Sequence, residues 1–150
     1  MDIPPELVEQ IKRHEGLRLE AYRDTRDKLT IGYGHLMHPR DDPKMVMTEE
    51  EAEEQLFKDL RRTRSEMSAL SEWTCGLEET DVVRYCVLWN MAFNMGIGHL
   101  RGFKNMLAAV KERDWAMAVH EMESSKWRGQ IGKTRFNELA AQMETGIFQK

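Results

Sequence analysis

The sequence has little that would tie it to a membrane or to an oxidising compartment. No uninterrupted apolar run exceeds five residues, as in Tyr85–Trp89 and Met106–Val110, so no segment is long enough to span a bilayer. Its two cysteines, Cys75 and Cys86, fall short of a disulfide framework, and free thiols are expected. The first residues, Met-Asp-Ile-Pro-Pro-Glu, carry no basic stretch followed by an apolar one. A location in the cytoplasm of the producing cell is therefore expected. No HExxH pattern occurs among the five histidines: His14-Glu15 and His120-Glu121 both lack the second histidine, so no metal site is expected. The 11 methionines read as core filler.

What is present is enough for one ordinary domain, or one domain with two lobes. The chain has 150 residues, 41% of them hydrophobic and 32% charged. Its net charge of −4 is uneven: residues 1–80 carry −7 and residues 81–150 carry +3. A mildly basic half suits an anionic polymer such as bacterial wall, although most such imbalances are only solvated surface. The excess is too small to suggest nucleic acid.

The patterning predicts a small β-containing lobe, a long connecting helix and a helical lobe, an α+β arrangement in which a cleft between lobes would be a common place for a ligand. A first helix is expected over about 5–15, with Leu7, Ile11 and Glu15 on one stripe and Gly16 as its stop. Residues 16–47 form the β lobe, with a turn over 22–28 and a strand-like run from Leu29 to His35. Thr48 and Glu51 make a capping box that opens a helix over about 48–70, its first turns rich in glutamate. From about 79 onward everything reads as helix. Val82–Met95 is apolar nearly all round and marks a buried element, broken by Gly96 and Gly98. Shorter helices follow at about 103–112, 114–124 and 133–144.

Glu15 is the most informative carboxylate. A carboxyl on the buried stripe, at the negative end of a helix dipole, suits a proton donor. It equally suits a buried acid satisfied by an arginine. Asp24, nine residues on, lies in a polar turn where it would be solvated and able to orient water; an isolated turn aspartate more often bonds its own backbone. Strand alternation would put Thr30, Gly32 and Gly34 on one face and Ile31, Tyr33 and His35 on the other. Glycines weaken a strand, so they mark either a surface cleared for a ligand, with the Thr30 hydroxyl exposed on it, or a bulge or hairpin. Two carboxylates in unlike environments flanking a cleared surface are what glycoside hydrolysis uses.

The runs His14–Thr25 and Leu29-Thr30-Ile31-Gly32-Tyr33-Gly34-His35 strongly resemble the phage-type lysozymes, the endolysin family that includes the T-even phage enzyme. Asn90–Gly96 leading to Gly102-Phe103, Ser125-Lys126-Trp127, Arg135 and Thr145-Gly146 resemble its later sections, so the likeness covers essentially the whole chain. The resemblance implies a two-lobed α+β fold that hydrolyses the β-1,4 bond between N-acetylmuramic acid and N-acetylglucosamine in peptidoglycan, without a cofactor. It implies Glu15 as the acid, Asp24 and Thr30 holding the attacking water, and inversion at the anomeric centre. It also implies that Arg135 pairs with the catalytic glutamate and that His35, Leu36, Phe93 and Asn94 lie along the substrate cleft. Gly32 and Gly34 would support the motif. Release from the host cytoplasm through a separate membrane-permeabilising protein is implied as well, and a monomer is expected.

The chain departs from that pattern in places. Asn94 replaces a glutamine, Asp27 replaces a turn glycine, and Met106 and Glu121 occupy cleft positions that are polar and uncharged in the T-even enzyme. A lytic transglycosylase would break the same bond but would not need a water-holding Asp24 and Thr30. An inactive wall-binding module would more simply have lost Glu15 or Asp24.

Overall fold

A computed structural model describes residues 2–150. It is mostly helical, with one three-stranded antiparallel sheet near the N-terminus, and its contacts divide into a unit running to Arg62 and a unit from Thr63 to Lys150. No helix among the described residues is long and apolar enough to cross a membrane.

In the first unit α1 (Pro5–Glu15) begins on proline, whose missing N–H costs nothing in a first turn. It ends at Gly16, which takes φ +71° and donates its N–H to the Lys12 carbonyl at 2.9 Å. Strands β1 (Arg18–Arg23), β2 (Leu29–Gly32) and β3 (His35–Leu36) pair in that order. The register sets Tyr22 opposite Thr30, and Thr30 opposite Leu36, with an irregularity in β1 between Arg18 and Tyr22. Leu29, Ile31 and Met37 form the core of this sheet, with Ala21 and Met47 packed on it.

The run from Leu29 to His35 is therefore not one strand. It turns at Tyr33-Gly34, and Gly32 and Gly34 both have φ near +70° (+67° and +71°), a backbone that L side chains rarely adopt. The hairpin alternative holds, and the face cleared for a ligand does not. A Cβ at position 32 would meet Met47 Sδ at 3.1 Å and Ala52 Cβ at 3.4 Å. The space beside that glycine is filled by the protein itself.

Helix α2 (Glu49–Glu66) starts on the expected capping box. Thr48 N donates to Glu51 Oε1 at 3.0 Å, and Glu51 N donates to Thr48 Oγ1 at 3.1 Å. A 3₁₀ turn over Met67–Leu70 continues it, and a further helical turn over Ser71–Thr74 follows without a break, past the expected end near residue 70.

In the second unit α5 (Val82–Met95) is buried continuously from Tyr85 to Ala92, as its all-round apolar sequence requires. Asp81 caps it, accepting from Arg84 N, and α10 (Lys133–Thr145) packs alongside. Short helices α3 (Ser71–Thr74) and α4 (Leu77–Thr80) precede it, and α6 (Ile97–Arg101), α7 (Lys104–Lys111), α8 (Trp115–Glu123) and α9 (Trp127–Gln130) follow. Gly96, at φ +87°, ends α5, whereas Gly98 lies inside α6 and breaks nothing. Cys75 is exposed and Cys86 buried, and neither is in a disulfide.

Candidate active site

The three expected catalytic residues lie at the end of α1, in the turn between β1 and β2, and on β2 of the first unit. Glu15 is the last residue of α1 and half-buried. Its carboxylate lies against Gly34: a Cβ there would fall 2.5 Å from Glu15 Oε2 and 2.8 Å from its carboxyl carbon. Gly34 therefore has a reason beyond its left-handed backbone. Only a residue without a side chain lets the turn approach the acid this closely.

Thr30 lies on β2 of the same hairpin, 5% exposed, so it is buried where a hydroxyl on an open face was expected. Its Oγ1 donates to the Lys28 carbonyl at 2.9 Å. The proton of the hydroxyl is thereby committed, and its lone pairs remain as acceptors.

Asp24 follows β1 directly. Its Oδ1 accepts from the backbone N–H groups of Arg26 and Lys28, both at 2.8 Å. The turn is closed further by Asp24 N to Lys28 O and Asp27 N to Asp24 O, each 2.9 Å. The self-bonding expected of a turn aspartate is present, but it uses only one oxygen. Oδ2 has no hydrogen-bond partner among the described residues. Asp27 keeps the turn at φ 60°, a conformation that aspartate tolerates better than most side chains.

Tyr22 ties these groups together, and sequence reasoning missed it. Burial is the main cause that raises the pKa of its hydroxyl; the charge of Glu15 adds to this, Arg18 opposes it, and Asp24 adds again. One hydroxyl thus feels both carboxylates, while its own residue stands across the ladder from Thr30. Its neighbour Arg18 stacks on the ring, with the guanidinium carbon 4.4 Å from the ring centroid. The signal was the strand register, which the irregular β1 hides.

The remaining expected site residues are placed as follows. His35 Nδ1 meets Asp59 Oδ2 at 2.7 Å, and Gln55 Nε2 donates to Asp59 Oδ1 at 3.0 Å. With Asp59 4% exposed, His35 is engaged in a tie between β3 and α2. Leu36 beside it is 61% exposed, a large apolar side chain left in solvent. Phe93, Asn94 and Arg135 belong to the second unit. Phe93 is half-buried. Asn94 is exposed, and its Oδ1 accepts from the Trp127 indole N–H at 2.8 Å, so half of its amide is already taken. Arg135 is buried, and its Nη2 donates to Asn90 Oδ1 at 2.9 Å.

Comparison with known proteins identifies the family. The family model described as phage lysozyme matches residues 12–142. A probable T4-type lysozyme 1 of Dictyostelium discoideum is 29% identical, the alignment covering 93% of this chain and 94% of that protein. The endolysin of Bacillus phage B103 is 30% identical over 96% of this chain and 52% of its own length. The pre-baseplate central spike protein Gp5 of Enterobacteria phage T4 is 31% identical, over 81% of this chain and 24% of that protein. This chain belongs to the phage lysozyme family of glycoside hydrolases that act on peptidoglycan.

Proposed function

We propose that this enzyme hydrolyses the β-1,4 bond between N-acetylmuramic acid and N-acetylglucosamine with Glu15 as general acid and with Asp24 and Thr30 holding the attacking water. It works as a monomer and without a cofactor. The observation that carries this reading is the unequal use of hydrogen bonds around the hairpin. Thr30 has spent its proton on Lys28 O, and Asp24 has spent Oδ1 on its own turn. A water molecule between them would donate one hydrogen to Asp24 Oδ2 and the other to Thr30 Oγ1. Its lone pair then points away from both, toward an anomeric carbon.

Glu15 supplies the opposite half of the reaction. As the glycosidic bond lengthens, its proton passes to the leaving oxygen, while Asp24 takes a proton from the water as the new C–O bond forms. Attack by water on the face opposite the leaving group inverts the anomeric centre. Gly34 lets the turn approach Glu15 so that the acid is held without being crowded.

Clearing of purified peptidoglycan by wild type, Glu15→Gln and Asp24→Asn tests the assignment. Each variant should stay folded and lose about 10²-fold or more in rate, the scale of a lost acid or base. Undiminished clearing by either removes that residue from the mechanism. Fragments 18 Da lighter than the hydrated sugars would replace hydrolysis by an anhydro-forming transglycosylation. Retention of configuration, read by NMR on fresh products, would make Asp24 a nucleophile instead.

A further inference from the structure

Residues directly opposite one another in antiparallel strands project to the same face of a sheet. The register sets Tyr22 opposite Thr30 and Thr30 opposite Leu36, so these three side chains form one row across β1, β2 and β3. Leu29 and Ile31, the neighbours of Thr30 along β2, alternate to the other face and make its core with Met37. Thr30 is thus on the face away from that core and is still only 5% exposed. The ladder flanks it with Leu36, which is largely exposed, and with the half-buried ring of Tyr22. Arg18 stacks on that ring and holds it, its guanidinium carbon 4.4 Å from the centroid. The Tyr22 hydroxyl forms no hydrogen bond among the described residues, so the row uses the bulk of the ring and not its oxygen.

We infer that Tyr22 determines which nucleophile the site admits: its ring walls the Thr30 hydroxyl so that water fits beside it and an alcohol does not. The inference rests on the hydrolytic reading of Glu15, Asp24 and Thr30. An alcohol could replace water in that reaction. Its oxygen would bond to the anomeric carbon as the glycosidic C–O bond breaks, its proton would pass to Asp24, and the Glu15 proton would go to the leaving oxygen. The products would be an alkyl glycoside and a free sugar hydroxyl. Hydrogen bonding only penalises this course, because an alcohol keeps its bond to Asp24 Oδ2 and forgoes the one to Thr30 Oγ1. Its alkyl group takes the place of the hydrogen that water aims at Thr30, and so must lie in the space that the Tyr22 ring closes. Sugar hydroxyls crowd any glycan that this enzyme cuts. A wall that excludes them keeps a cut strand from being joined to another.

The test lets the enzyme choose between methanol and water. Wild type, Tyr22→Phe, Tyr22→Leu and Tyr22→Ala cut purified peptidoglycan in aqueous methanol, and mass spectrometry counts methyl glycosides, heavier by one CH₂ group, against free reducing ends. The ratio is taken among products, so it does not depend on how much of a variant is folded, and the leucine variant decides the matter where alanine does not fold. Tyr22→Ala should raise the ratio about tenfold or more over wild type, since a site discriminates one methylene by about 10–200-fold. Tyr22→Leu should fall between them, and Tyr22→Phe, which keeps the wall, should match wild type. An unchanged ratio in the alanine and leucine variants, or a rise in Tyr22→Phe equal to that in Tyr22→Ala, would overturn the inference. Complete loss of cutting by both smaller variants, folded by circular dichroism, would overturn it too, because the ring would then serve the chemistry itself. NMR on fresh products keeps the two readings apart. Inverted configuration in both products puts methanol in the place of water, whereas an inverted hydrolysis product beside a retained methyl glycoside counts against Tyr22 as the gate. Retention in the hydrolysis product strikes the underlying single-displacement reading instead.

Discussion

Replacing Gly34 by alanine should separate the stability of the hairpin from the placement of the acid. The backbone at this position has φ +71°, and an L side chain in the left-handed region costs about 1–2 kcal/mol. The new Cβ would sit 2.5 Å from Glu15 Oε2, where ordinary contact begins near 3.4 Å, so the carboxylate must retreat by roughly 1 Å. Glutamate is flexible and can swing aside, so the overlap adds little to the loss of stability. Its effect falls on the chemistry, because a displacement of that size can cost about 10²-fold in rate. The expected result is a melting temperature lowered by roughly 2–8 °C and a turnover on peptidoglycan reduced about a hundredfold. Gly32→Ala is the control. It has the same backbone sign, φ +67°, but its Cβ would meet Met47 and Ala52 and not Glu15. It should lose at least as much stability and keep its turnover within a few-fold. A Gly34→Ala enzyme with wild-type turnover, or a Gly32→Ala enzyme equally disabled, would refute the claim that Gly34 exists to seat Glu15.

Two further outcomes follow from side chains away from that contact. Burial, partly offset by Arg64, pushes the Tyr85 hydroxyl up to about 12 from 10.0. Above pH 10 the unfolded chain loses this proton while the folded one keeps it, so stability should fall by about 2 kcal/mol between pH 10 and 12. Tyr85→Phe should remove that part of the alkaline slope in urea midpoints measured across the range, and an unchanged slope would deny it. The His35–Asp59 contact at 2.7 Å should show a coupling of about 1–3 kcal/mol in a double-mutant cycle of His35→Asn and Asp59→Asn, read by urea unfolding. Strictly additive losses would mean that the contact holds nothing.

Local rules made much of the fold legible. The capping box needs only Thr48 and Glu51, three residues apart, and it forms as read. Helix α5 is announced by apolar residues on every side, and Glu15 by its spacing from Leu7 and Ile11. The failures share a cause, which is that the deciding contacts lie far along the chain. The alternation of Ile31, Tyr33 and His35 continues through the turn, so hydrophobicity alone cannot show where β2 stops. The purpose of Gly34 is Glu15, and the partner of His35 is Asp59, 24 positions on. Tyr22 gains its place only from a register that an irregular strand obscures. Helices α3, α4 and α9, at four residues each, are shorter than any periodicity can reveal.

The two amides that grip Asp24 belong to the backbone, and this has a practical reach. Thr25 and Arg26 contribute no side chain to the clamp, so the loop tip should accept changes of charge or size as freely as a handle accepts paint. An asparagine at position 24 could keep the clamp through its carbonyl oxygen and give up only the negative charge. Any library built on this enzyme can diversify that rim while the anion beneath keeps its aim.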